Sequence, residues 1–217
     1  MSSAADLYAE GLEAFRRGET ERSEELNEQS LALARAADDG PAIVNALIGL
    51  ARVALRRGQL ERVHELAQEG RELATARGLT DSLVLPLHLD AEATRMGGDL
   101  TRARELYEES LALNRRLGDG RMVAVEQANL SWVEINEGNL DTAETLLRAS
   151  LEGPEGEPYL HAIALIGLAR CAAERGDRDA ADEQLREAET LLEQTGLVLD
   201  PADRPEYDRT VELARGA

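Results

Sequence analysis

His88 and Glu92 stand four residues apart, with Arg95 three further on. On a helix that spacing turns all three side chains to one face. A histidine one turn from a carboxylate could supply half of a metal site or pass a proton. Two ligands do not close a coordination sphere, and no HExxH or CxxC spacing accompanies them. A polar contact on a helix face is the stronger reading. His64 lies among charged residues and reads as surface, and His161 reads as a first-turn residue. Cys171, the single cysteine, has no intrachain partner and sits in an alanine-rich run, which marks it as a buried, inert thiol. The pieces Gly118-Asp119-Gly120 and Gly153-Pro154-Glu155-Gly156 follow helical stretches, not strands, so they are not nucleotide loops. No Ser-His-Asp or Cys-His set is present. No catalytic residue, metal or cofactor is assigned.

Binding is the remaining kind of chemistry, and charge bounds it. The 217 residues carry a net charge of -19, with 24 basic and 43 acidic side chains. Such a surface repels nucleic-acid phosphates and anionic lipid headgroups. Neither nucleic acid nor membrane is an expected partner. Every basic side chain is an arginine, a fixed planar donor. No run approaches the length of a membrane span, and the first residues lack the pattern of a signal peptide, so the expected location is the cytoplasm.

The elements that must position any site come from a repeat. The stretch from Gly98 to Gly120 returns along the chain from Gly18, Gly58, Gly138 and Gly176, with leading glycines 40, 40, 40 and 38 residues apart. Each unit reads as a helix (A), a glycine turn and a second helix (B). Small residues hold fixed slots: Gly11, Ala51, Ala91, Ser131 and Ala169 before the turn, then Ser23, Val63, Ala103, Ala143 and Ala181 after it, then Ser30, Gly70, Ser110, Ser150 and Ala188. A small side chain in the same slot of every unit implies close helix approach. Leucines such as Leu47, Leu66 and Leu106 form the apolar stripes between those slots.

These slots and the glycine turn resemble the tetratricopeptide-repeat (TPR) family, whose unit is about 34 residues. The likeness covers residues 3–196. The longer unit and the missing proline after helix B resemble the form found in bacterial signalling and regulator proteins. The implied fold is all-α: a right-handed α-solenoid of five helix-turn-helix repeats, at 3–38, 41–78, 80–118, 120–152 and 157–196, with a capping helix over 201–215. One domain spanning 1–217 is expected. Pro86 should kink or loosen the first turns of a helix running from Asp81 to Met96, capped by Thr80. The Gly/Pro segment 152–158 reads as a deletion repaired by a loop, with a hinge as the sharper alternative. Pro201 is expected at the first position of the capping helix.

In the TPR family the A helices line a concave groove. Carrying that register over implies a partner-binding set of Asn45, Arg52, Arg56, His88, Glu92, Arg95, Trp132, Asn136 and Arg170, with Tyr8, Leu12, Phe15 and Arg16 nearby. The only Trp and the only Phe fall there, with five Arg against two Glu across the full set of groove positions. Trp and Arg dominate binding hot spots. The implied function is a scaffold or adaptor that holds a protein or peptide segment, acidic or ending in a free carboxylate. The alternatives are a ligand-sensing regulatory module that changes curvature, and an enzyme with a site near His88, Glu92 and Arg95.

Overall fold

The computed structural model describes residues 2–153, 157–200 and 202–216, and among them are eleven α-helices and no strand. They are α1 (Ala4–Arg16), α2 (Thr20–Ala36), α3 (Gly40–Arg56), α4 (Leu60–Ala76), α5 (Val84–Met96), α6 (Leu100–Leu117), α7 (Gly120–Asn136), α8 (Leu140–Leu151), α9 (Pro158–Glu174), α10 (Arg178–Thr195) and α11 (Arg204–Arg215). Odd-numbered helices α1 to α9 are the A helices, and even-numbered ones are the B helices. The repeated helix-turn-helix pattern is that of an α-solenoid. The chain divides into two compact units, Met1–Leu106 and Tyr107–Ala217, with the division inside α6.

Within unit 1, α1 packs on α2 and α3, α3 on α4 and α5, and α4 on α5. Within unit 2, α7 packs on α8 and α9, and α9 on α10. Helix α3 is therefore flanked by both neighbouring B helices and by both neighbouring A helices. That crowding explains the composition of α3, whose buried residues run almost unbroken from Ile43 to Leu55. The B helices are buried along one stripe only, as in α4 with Val63, Leu66, Ala67, Gly70 and Ala74.

All of the small slots are buried. Where the slot holds serine, the hydroxyl finds an acceptor: Ser23 Oγ donates to Gly11 O at 2.8 Å, Ser30 Oγ to Ala4 O at 2.7 Å and Ser110 Oγ to Glu126 Oε1 at 2.6 Å. A buried hydroxyl is tolerated because it is satisfied. A second slot works by size exchange. An ideal Cβ on Gly49 would overlap the Asn27 carboxamide, and one on Gly167 would lie 2.7 Å from a methyl of Leu147. The same register elsewhere pairs Leu89 with Ala67, so bulk sits on one side or the other.

The chain turns left-handed at Gly18, Asp38, Gly58, Gly78, Gly98, Gly118 and Gly138, one after each of α1 to α7, and again at Gly176, Gly196 and Gly216 after α9, α10 and α11. Only glycine takes that conformation without cost, and Asp38 is the one non-glycine residue among those described that adopts it. Backbone bonds such as Gln59 N to Ala54 O, 2.9 Å, close the helix ends. Asp39, Asp119 and Asp177 cap the next helices by accepting from Ala42, Met122 and Ala180 N–H groups.

Two boundaries differ from expectation, those of α5 and of the last helix. Residues Thr80–Leu83 form a 3-10 turn, and α5 begins at Val84. Pro86 then falls in the first helical turn, where a missing N–H removes no helix bond, so it sets the start of α5 and does not kink it. Helix α8 has 12 residues against 17 in α4, as the Gly/Pro segment requires. Of that segment, 154–156 lie outside the described residues, and the hinge alternative with them. The last helix starts at Arg204 behind Asp203, with Pro205 in its first turn. Pro201 also lies outside the described residues.

Candidate functional site

The A-helix face of unit 1 is built from α1, α3 and α5. Arg56, in the last turn of α3, lies over the Phe15 ring at 3.5 Å from its centroid. Its Nη1 also donates to Phe15 O at 2.6 Å. The guanidinium thus seals the C-terminal end of α1, where free carbonyls favour a cation. One turn earlier Arg52 is half-buried. Asn45 is exposed on the same helix. On α5, His88 Nε2 stands 3.8 Å from Glu92 Oε2, and both side chains are largely covered. Arg95 is buried, at 6% exposure. Among the described residues no group of three or more His, Cys, Asp or Glu gathers as metal ligands.

Unit 2 disposes of its share of the set differently. Trp132 is 2% exposed and belongs to the core with Ile135, Leu147 and Ile166. It is an anchor of packing and not a groove surface, because folding a large indole between helices removes more apolar area from water than any other choice here. Arg170 is buried too. Its Nε donates to Glu174 at 2.8 Å, and its Nη1 lies 3.7 Å from Glu206. Asn136 is exposed, with Nδ2 3.5 Å from the same Glu206. Glu206 comes from α11, which packs on α9 and α10 as a next A helix would. The last helix thus covers the A-helix face of unit 2 and neutralises Arg170. The expectation that Trp132 and Arg170 line an open groove is corrected accordingly.

Further contacts fix α11. Tyr159 Oη donates to Asp203 at 2.6 Å and accepts from Asp200 N–H at 2.8 Å. Tyr207 Oη donates to Glu189 at 2.6 Å, and burial and that carboxylate push its pKa up to about 12. Arg215 forks onto Glu189, at 2.8 and 3.0 Å, and reaches Asp182 at 2.7 Å. The bonds from Arg215 hold Glu189 below its usual range, and hydrogen bonds from Arg186 and Arg215 do the same for Asp182. Cys171 is buried, and desolvation pushes its thiol up to about 11, which leaves little thiolate for chemistry.

A further feature outside the expected set lies on the B-helix side of unit 1. A cleft of about 960 Å³ runs between α4 and the start of α6, over α5. Asp90 stands in its floor, 2.7 Å from His64 Nδ1 and accepting from Arg71 Nη1 at 3.0 Å. The signal for it was a substitution. Asp90 holds the register that Leu50, Leu130 and Leu168 hold in other repeats.

No helix among the described residues is long and apolar enough to cross a membrane. The family model for the MalT-like TPR region matches residues 14–216. No curated protein matches the sequence. Among solved structures the chain is similar to BtubC from P. vanneervenii, with a TM-score of 0.71 at 19% identity, covering 91% of this chain and 83% of that one. It is also similar to a Rap protein complexed with Competence and Sporulation Factor, with a TM-score of 0.77 at 15% identity over 98% of this chain. The apo form of RapI gives 0.67 at 14% identity over 98%. The chain spans 64% and 59% of those two Rap chains.

Proposed function

The chain belongs to the MalT-like TPR family, and from that premise we propose that it is a protein-binding repeat module whose A-helix face in unit 1 receives a segment of a partner protein. The observation that carries the reading is a pair of uncommitted cations. Among the described residues of unit 1, Arg16 and Arg52 make no hydrogen bond or ion pair, and both stand on A helices. The chain has 43 acidic side chains to offer them and uses none. By contrast Arg17, Arg22, Arg35, Arg57, Arg62 and Arg77 are all paired.

A free guanidinium is a fork for a carboxylate, and beside Arg52 and Arg16 the half-buried Tyr8 and Phe15 offer apolar surface. The fitting occupant is a segment carrying Asp, Glu or a free C-terminus next to an apolar anchor. The net charge of -19 repels such a segment elsewhere and so directs it to this face. A Rap protein of the same fold, complexed with Competence and Sporulation Factor, supports binding by such an array.

The test places a photo-crosslinking residue at Asn45 and captures what binds. The captured partner should titrate roughly tenfold more weakly against Arg52→Ala, about 1.4 kcal/mol, and more weakly still as salt rises. An affinity unchanged by Arg52→Ala and by Arg16→Ala, in variants that fold, sinks the A-face reading.

A further inference from the structure

Helices α3 and α9 each form the floor of a groove between two B helices. Three floor positions stand eight, four and one residues before the turn glycine. In the groove over α3 they are Leu50, Ala54 and Arg57, and in the groove over α9 they are Leu168, Ala172 and Arg175. Both arginines fold back across the groove. Arg57 bonds Glu24 at 2.7 Å and Glu21 at 3.5 Å. Arg175 bonds Glu144 at 2.7 Å and Asp141 at 2.5 Å. The recipients hold the same register in both repeats, so this is one clamp used twice.

Over α5 the same three positions are Asp90, Thr94 and Gly97. With no side chain at Gly97 the clamp is missing, and the cleft of about 960 Å³ lies there, lined by Gly97, Thr94 and Asp90. Half of the recipient pair survives. Glu61 holds the register of Glu21 and Asp141; it is exposed and, among the described residues, makes no hydrogen bond or ion pair. The other recipient is replaced by His64, which Asp90 holds at 2.7 Å. Arg71, likewise, stands where Leu31 and Leu151 stand elsewhere, and it bonds Asp90. The donors of the cleft are thus committed: Arg71 to Asp90, with His64 Nδ1 also against Asp90, and Arg102 to Glu105 at 2.7 Å. An acid at the vacated arginine position is not.

The geometry points to this cleft as a binding site for an arginine side chain supplied by a partner protein. The incoming guanidinium takes the place that Arg57 and Arg175 take in the sister grooves, with its stem along Gly97 and Thr94 in the cleft and its head towards Glu61, which by register stands just beyond the lining residues. The formal charge of -19 draws a basic side chain to the surface. The grooves over α3 and α9 show that a guanidinium fits this place, whereas the fourth repeat carries Glu137 there. The inference rests on the protein-binding reading, but it uses the B-helix side and not the face of Arg52.

The test is an NMR titration of the isotope-labelled full chain with N-acetyl-arginine amide, against N-acetyl-citrulline amide of the same length and no charge. The arginine probe should give saturable shifts at Glu61, Thr94 and Gly97, and the citrulline probe should not. Glu61→Gln should weaken the response about twofold to fivefold. Gly97→Arg should abolish it by restoring the internal clamp. That variant should fold, since Gly97 at φ -74, ψ -9 has nearly the backbone of Arg57 at φ -87, ψ 0. Absence of saturable shifts, an equal response to citrulline, or undiminished binding in Gly97→Arg overturns the proposal. Should Gly97→Arg misfold, Glu61→Gln and the citrulline comparison still decide. Self-association that Gly97→Arg removes and the arginine probe competes away would seat a second copy in the cleft and overturn the assignment to a partner. Arg52→Ala should leave every one of these shifts in place, so this site and the A face fail separately.

Discussion

Gly49→Ala should be among the most damaging small substitutions in unit 1, although it adds one methyl group to a helix. On propensity alone the change gains about 1 kcal/mol. The added methyl, however, meets the Asn27 carboxamide, all three of whose outer heavy atoms fall within 2.8 Å of the new carbon. Asn27 is 1% exposed and cannot swing into solvent. Its Nδ2 donates to Ser23 O at 2.8 Å. Moving it forfeits that bond in a buried place, about 1–3 kcal/mol, and forces overpacking of about 1–3 kcal/mol. The net is a loss of about 3 kcal/mol, or roughly 6–12 °C in Tm for a chain of this size. The mechanism makes a second demand. Asn27 Oδ1 has no hydrogen-bond partner, so Asn27→Ala removes a costly group as well as a useful one. Asn27→Ala should therefore cost little and should rescue Gly49→Ala, with a coupling of about 2 kcal/mol in a double-mutant cycle. Urea melts of the four proteins give the cycle. A Gly49→Ala variant as stable as the parent, or one that Asn27→Ala does not rescue, refutes the size-exchange account of this slot.

Ala143 is fully buried between α7 and α8, so Ala143→Arg should cost at least about 3 kcal/mol through overpacking and a buried charge, read by circular dichroism melts. Deleting 197–217 should uncover the α9 and α10 surfaces that α11 occupies and produce concentration-dependent association in sedimentation; a monomer with the parent's Tm would show that α11 is no cap. Acid should loosen α11. Hydrogen bonds from Arg215 and Tyr207 hold Glu189 below the usual carboxylate range, so its contribution is complete above the unfolded value of about 4.3 and is lost as pH falls through the lower folded value. Proteolysis within 204–215 should accelerate in that window, and Arg215→Ala should flatten the pH dependence.

The repeat was legible because its constraints are local and recur. A left-handed turn demands glycine, and a close helix crossing demands Ala, Ser or Gly, whatever else the residue near it does. Register also gives the direction of each Cβ, which is why Arg52, Glu92, Trp132 and Arg170 could be placed on one kind of face. Register says nothing of what covers that face. Arg52 and Trp132 hold the same position in different repeats, yet one stays half-buried and the other enters the core. An indole gains by burial, whereas a guanidinium can lay its stem on the surface and keep its head in water. Arg170 was hidden by α11, an element outside the repeat, whose Glu206 no internal comparison could supply.

Gly97 shows the complementary limit. A search for functional residues looks for side chains that are present, and Gly97 matters through one that is absent. It becomes visible only against Arg57 and Arg175, which hold the same position and close their grooves. In an array of similar units the shared residues build the fold, since each unit must bury the same faces. The residues free to carry function are those where a unit departs from a device that other units keep, as Gly97 departs from Arg57 and Arg175. Asp90 for leucine, Arg71 for leucine and Gly97 for arginine are three such breaks in one groove, and two of them are bound to each other at 3.0 Å. Independent drift would scatter such changes over the array. Their meeting in one cleft is the reason to test that cleft with a guanidinium.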